Sequence, residues 1–211
     1  MTKTGIIFDM DGTLWDSAAN VARSWTDVVQ AQYGMDRVIT TRDIQSIMGK
    51  TMVEIADAIF PQEDPQRRME ILKVCCEEEN AYLSIHGGVL YPELEETLKI
   101  LSARYPLYIV SNCQSGYIEA FLGYYHFGHY FEDIQCYGDN QKPKGFNIRL
   151  LADRNGLERG IYVGDTQGDY DATMEAGLEF IYAAYGFGEV AQPVTRLEQF
   201  ADLPEILEGN T

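Results

Sequence analysis

A short apolar run, Gly5 to Phe8, stops abruptly at Asp9 and reads as a buried strand. From Ser17 to about Ser84 the pattern is helical. Val21, Trp25, Val28 and Val29, with Gln32-Tyr33, mark one face of a first helix. Ile44 to Met48 and Met52 to Phe60 predict two shorter helices. Pro61 and Pro65 interrupt the pattern, and Pro65 suits the first turn of a longer helix running to about Leu83. Met69, Leu72, Cys76 and Leu83 fall roughly on one stripe of it, and Gly87-Gly88 end it.

Beyond this break strands and helices alternate. Pro92 to Arg104 predicts a helix, Leu107 to Val110 a strand, Ser115 to Leu122 a helix and Phe131 to Cys136 a weaker strand. Gly145 to Asn155 predicts a helix, Ile161 to Val163 a strand, Tyr170 to Ala176 a helix stopped by Gly177, and Glu179 to Ala184 a strand. Leu203 to Leu207 predicts a short closing helix. Alternation at this spacing implies an α/β fold, a doubly wound parallel sheet with helices on both faces. The helical stretch interrupts it after the first strand. The expected organisation is therefore an α/β core of residues 1–16 and 86–211, with an inserted α-helical domain at 17–85.

Composition narrows the picture. Of 211 residues 45% are hydrophobic, with 14 Tyr, 9 Phe and 2 Trp, enough for a packed core and too many for disorder. The formal net charge of −17 disfavours broad binding to nucleic acid or to anionic membranes. No apolar window reaches the ~18 residues of a membrane span, and Ile6 to Phe8 is too short for a signal peptide. The four cysteines, Cys75, Cys76, Cys113 and Cys136, show no CxxC spacing. They read as reduced thiols of a cytoplasmic protein.

In open parallel sheets ligands gather at the carboxyl ends of the strands. Here the first strand ends in Asp9-Met10-Asp11-Gly12-Thr13 and the second in Ser111-Asn112. A later turn holds Lys142-Pro143-Lys144-Gly145, and a further strand ends in Gly164-Asp165-Thr166-Gln167-Gly168-Asp169. These groups suit phosphoryl transfer. One carboxylate can attack phosphorus, and a second can protonate the leaving oxygen and then activate water. Clustered carboxylates with phosphate select Mg²⁺, while lysine, hydroxyl and amide donors steady the transferring group. Gly12 would let backbone amides approach a phosphate.

DMDGT, the strand-end Ser-Asn, the lysine and GDTQGD, in this order, resemble the four motifs of the haloacid dehalogenase superfamily. DMDGTLWDS followed by helices is most similar to its phosphoglycolate phosphatase-like and β-phosphoglucomutase-like branch. The resemblance covers nearly the whole chain and implies a Rossmann-like core with a helical cap. It implies Asp9 as nucleophile and Asp11 as general acid and base, with Gly12, Thr13, Ser111 and Asn112 at the phosphoryl group. Mg²⁺ would be held by Asp9, the Asp11 carbonyl and Asp165, with Asp169 supporting the metal shell. The family lysine occurs in either a Lys-Pro or a Lys-Gly context. Both exist here, so Lys144 and Lys142 are both candidates, Lys144 preferred because it opens the next helix.

The implied activity is a Mg²⁺-dependent phosphatase of small phosphorylated metabolites acting through a phosphoaspartyl intermediate. The enzymatic alternative is a β-phosphoglucomutase-like phosphotransferase. The non-enzymatic one is a phospho-receiver-like signalling domain, which would lack both the long insert and the DxDGT loop. Lys50, after Ile47-Met48-Gly49 between two helices, is a candidate substrate contact, and Arg42 a weaker one. Trp15, Asp16 and Ser17 should form the hinge or a pocket wall. Other features read as ordinary structure: Cys113 as small packing, His86, His126 and His129 without a metal-ligand pattern, Tyr117–Phe131 as aromatic core and interface, and Glu77-Glu78-Glu79 as a solvated helix face.

Overall fold

The computed structural model describes residues 3–209. Its elements run β1 (Thr4–Phe8), β2 (Trp15–Asp16), α1 (Ala18–Tyr33), α2 (Thr41–Gln45), α3 (Met52–Ile59) and α4 (Pro65–His86). They continue with β3 (Val89–Leu90), α5 (Leu94–Ser102), β4 (Leu107–Ser111), α6 (Tyr117–Tyr125), β5 (Phe131–Cys136) and α7 (Tyr137–Asn140). The chain closes with α8 (Lys144–Arg154), β6 (Arg159–Gly164), α9 (Gln167–Ala176), β7 (Glu179–Ala183), β8 (Thr195–Leu197) and α10 (Leu203–Gly209).

The six-stranded sheet has the order β5-β4-β1-β6-β7-β8, and every neighbouring pair is parallel. Side chains alternate across a strand, so each buried strand feeds two layers. Ile6, Phe8, Ile109, Val163 and Ile181 pack on one side with Leu98 and Leu101 of α5 and Leu203 of α10. Ile7, Tyr108, Val110, Tyr162 and Tyr182 pack on the other with Ile148 and Leu151 of α8 and Ala172 of α9. Each large side chain so buried contributes roughly 1.5–3 kcal/mol. This is the expected doubly wound architecture.

Helices α1–α4 lie between the antiparallel pair β2 and β3, with Trp15 opposite Leu90 and Asp16 opposite Val89. Helix α1 packs along α4 and buries Val21, Trp25, Val28 and Val29. Asp64 caps α4 by accepting from the Arg67 amide, and Pro65 takes the first turn, where the sequence reading put it.

Several boundaries differ from the hydrophobic pattern for local reasons. Helix α2 stops at Gln45, three residues before Met48, after a capping box between Thr40 and Asp43 has set its start. Helix α5 begins at Leu94 rather than Pro92, because Glu93 is left-handed at φ 58°. Helix α6 is displaced by two to three residues, because left-handed Gly116 and His126 bracket it. The β2–β3 pair, α7 and the edge strand β8 are two to four residues long, too short to carry a period.

Candidate active site

Strand β1 delivers Asp9 to the carboxyl edge of the sheet, where its amide donates to the Val163 carbonyl at 2.9 Å. Strand β6 delivers Asp165 next to it. Helix α9 begins at Gln167, earlier than the pattern suggests, because Thr166 and Asp169 form a capping box. Asp169 is thus in the first turn of a helix, where Oδ2 accepts from the Thr166 hydroxyl at 2.7 Å and amide at 3.0 Å. The Thr-x-x-Asp spacing carries this signal in the sequence.

Carboxylate oxygens of Asp9, Asp165 and Asp169 lie within 4.8 Å of one another, and all three residues are buried. Lys144 joins them. Its Nζ donates to Asp9 Oδ1 at 2.7 Å and to Asp169 Oδ1 at 2.5 Å. Gly145 lets α8 approach α9 this closely, since a Cβ there would press on the Ala172 carbonyl and Glu175. Asn147 pins the preceding turn by donating to the Lys142 carbonyl at 3.1 Å. Lys142 itself is exposed, with its amide on Asn140 Oδ1. The structure therefore brings Lys144 to the carboxylates and leaves Lys142 in solvent, where a Lys-Pro turn points outward from the start of α8.

Three buried acids share one ammonium, and the electrostatics show it. Burial, then repulsion by Asp169, push Asp9 up to about 7, against the pull of Lys144. Burial, then Asp169 and Asp9, hold Asp165 well above the carboxylate range. Burial alone would discharge Lys144, but Asp169 and Asp9 outweigh it and hold the ammonium well above its usual value. Asp165 Oδ2 accepts from the Phe187 amide at 2.7 Å, while its Oδ1 is buried with no hydrogen-bond partner. An orphaned carboxylate oxygen among surplus negative charge fits a hard divalent cation.

Asp11 is half-buried and its carboxylate turns away from this trio. Its Oδ1 accepts from the Tyr117 hydroxyl at 2.6 Å and the Ser17 hydroxyl at 2.8 Å. Burial pushes Asp11 up to about 6, although both donors pull it down. Gly12 has φ 85°, and a Cβ there would overlap the Asp165 carboxylate. Its small size admits the Asp165 carboxylate. Thr13 is fully buried with an unpartnered hydroxyl, and its carbonyl accepts from Tyr185 at 2.8 Å. Ser111 is buried, and its hydroxyl accepts from the Cys113 amide at 3.3 Å.

The helical segment reaches this edge. Asn112 Nδ2 donates to the Gly49 carbonyl at 2.9 Å, and exposed Lys50 lines the cavity over Asp9 and Asp11, whereas Arg42 does not line it. Sequence reasoning missed Tyr117 and Glu79. Tyr117 belongs to an aromatic stretch in which Phe121 and Phe127 are core and Tyr124 is exposed, and only its hydroxyl contact marks it out. Glu79 corrects the reading of Glu77-Glu78-Glu79 as a wholly solvated face, because it is 5% exposed and accepts from Trp25 Nε1 at 2.6 Å. All four cysteines are free and buried, and no helix among the described residues is long and apolar enough to cross a membrane.

Residues 6–183 match the family model described as haloacid dehalogenase-like hydrolase. The phosphoglycolate phosphatase of Shigella boydii is 27% identical over 234 aligned residues, covering 94% of this chain and 90% of that protein. A haloacid dehalogenase-like hydrolase structure from Streptococcus pneumoniae superposes with a TM-score of 0.81 at 22% identity, covering 100% of this chain and 99% of the other. CbbY from Rhodobacter sphaeroides, solved in complex with phosphate, superposes with a TM-score of 0.78 at 22% identity, covering 96% of each chain.

Proposed function

The chain belongs to the family of haloacid dehalogenase-like hydrolases, and from that membership we propose that it is a Mg²⁺-dependent phosphatase of small phosphorylated metabolites, working through an aspartyl phosphate. The observation that carries this reading is the buried trio Asp9, Asp165 and Asp169 around the single ammonium of Lys144. The phosphoglycolate phosphatase name of the relatives and the phosphate bound to CbbY point the same way.

Asp9 and Asp165, with the Asp11 carbonyl, would hold Mg²⁺, and Asp169 would support them through Lys144 and its own place in the trio. Bound there, the cation neutralises charge on the phosphoryl oxygens and on the carboxylates. Lys144 fixes Asp9 through Oδ1, which leaves Oδ2 to attack phosphorus. As the Asp9–phosphorus bond forms, the ester P–O bond breaks and Asp11 donates its proton to the departing alcohol. Asp11 then removes a proton from water, which attacks phosphorus and releases inorganic phosphate and free Asp9. The Thr13 and Ser111 hydroxyls, with Asn112, position the phosphoryl group. In this reading residues 17–85 form a cap over the site, Lys50 meets substrate at its edge, and the enzyme works in the cytoplasm.

Phosphate release from a panel of phosphomonoesters should require Mg²⁺ and vanish in EDTA; turnover that persists without metal would overturn the mechanism.

Tyr117 positions Asp11. Asp11 must carry a proton to act, so turnover should fall as pH rises through its pKa. A donor to the charged form lowers that pKa, and deleting the donor raises it. Tyr117→Phe should therefore move the alkaline limb of kcat up by about one pH unit while reducing its maximum. An unmoved limb in a pH–rate profile would remove Asp11 from the acid role.

A further inference from the structure

The cavity over Asp9 and Asp11 has an unusual second end. Its walls from the helical segment are apolar, with Val21, Ile44, Ile47, Met48 and Leu72. Among them sits one buried acid, Glu79 of α4, held by the Trp25 indole N–H at 2.6 Å and by the Gln114 side-chain amide, both neutral donors. Among the described residues no lysine, arginine or histidine pairs with Glu79, and burial pushes its carboxyl up to about 8. A carboxyl in an apolar wall without a cation is costly, and a neutral side chain would close the same cavity without that penalty.

Other polar groups around the cavity are already engaged. Asn112 Nδ2 is on Gly49, Gln114 Nε2 on Asn80 at 2.9 Å with its amide also serving Glu79, and the Tyr117 hydroxyl on Asp11. Lys50 is exposed, and Lys144 is bound to Asp9 and Asp169. A carboxylate on the substrate body would thus meet Asp11 and Glu79 with Lys50 as its one free cation among the lining residues. A positively charged body would meet a carboxylate and the indole of Trp25, two groups that attract ammonium ions. The whole cavity, from Asp9 to Glu79, has a volume of about 60 Å³, so the ester it takes is small.

We propose that Glu79 and Trp25 select phosphomonoesters whose leaving alcohol carries an ammonium group, such as short aminoalkyl phosphates, over those carrying a carboxylate. The proposal rests on the phosphatase reading and names the substrate class of that site. On binding, any proton on Glu79 is released to solvent and the carboxylate pairs with the ammonium, so the acid enters the complex as one half of an ion pair.

The test compares kcat/KM, with Mg²⁺ present, for 2-aminoethyl phosphate, n-propyl phosphate and 2-phosphoglycolate. Aminoethyl and propyl phosphates have the same number of non-hydrogen atoms and differ in charge. The wild type should favour aminoethyl over propyl phosphate by at least about tenfold, as expected for a charge-assisted contact. In Glu79→Gln, which keeps an acceptor for Trp25, that ratio should fall to about one, chiefly through KM. Trp25→Phe should lower it without changing any charge. A wild-type ratio near one, a preference for 2-phosphoglycolate, or a ratio unchanged in Glu79→Gln would overturn the proposal. Hydrolysis of p-nitrophenyl phosphate separates the two failures. If the wild type cleaves it and the ratios are flat, the selectivity alone falls; if it cleaves no ester, the phosphatase reading falls and the selectivity with it.

Discussion

Replacing Lys144 with methionine should lower kcat by at least about a thousandfold and destabilise the protein by about 3–5 kcal/mol, whereas Lys142→Ala should leave both nearly unchanged. Methionine keeps much of the aliphatic stem and removes only the ammonium. Asp9 and Asp169 then remain buried with no cation between them, and breaking a buried pair from one side leaves the full desolvation penalty of the other. The loss should depend on pH. Asp9 already has a folded-state pKa of about 7 against 3.8 ordinarily, so its contribution favours folding below about pH 4 and is lost as pH rises through 7. Without Lys144 that folded pKa rises further, and the gap in thermal stability between variant and wild type should widen from pH 5 to pH 8. Melting curves at the two pH values, with kcat at pH 7, check this. Equal, mild losses in Lys142→Ala and Lys144→Met would show that neither lysine serves the reaction.

Asp9→Asn should abolish turnover, a fall of at least about a thousandfold, yet leave the fold in place. An amide cannot form the aspartyl phosphate. It does, however, relieve the repulsion among Asp9, Asp165 and Asp169, and it leaves Lys144 paired with Asp169. In metal-free protein at pH 8 the variant should therefore melt no lower than the wild type. Residual phosphatase activity in Asp9→Asn would move the nucleophile elsewhere. A collapsed fold would mean that the Asp9–Lys144 contact outweighs the repulsion.

Much of the site is legible because strand ends are legible. Gly5 to Phe8 is apolar and Asp9 is not, and in a parallel sheet that junction must lie at the edge where helices begin. The same holds for Ser111 after β4 and Asp165 after β6. Glu79 was missed because its charge was weighed above its spacing. Three consecutive glutamates on a helix spread over about 200° of its surface, so at least one can turn inward when the helix is packed on several sides. Helix α4 touches α1, α3 and α6, and the stripe of Leu72, Cys76 and Leu83 runs through position 79, so the spacing marks Glu79 as the inward one while its charge argues for solvent. Tyr117 was hidden for a related reason, since a core tyrosine and a tyrosine that orients Asp11 have the same apolar ring in the same helix position.

By itself the sequence determined the alternating α/β core, the helical interruption after the first strand and the set of acids at the sheet edge. These follow from local patterns, the period of burial and the point where an apolar run stops, and such patterns survive without any long-range contact. Only the tertiary structure brought Lys144 rather than Lys142 to the carboxylates, turned Asp11 toward Ser17 and Tyr117, and placed Glu79 against Trp25 inside the cavity. Each of those outcomes joins residues at least six positions apart in the chain, and most join residues more than fifty apart. Which of two neighbouring side chains is drawn in depends on what the other element presents: Gly145 lets α8 close onto α9, and the buried acids there supply the charge that holds Lys144.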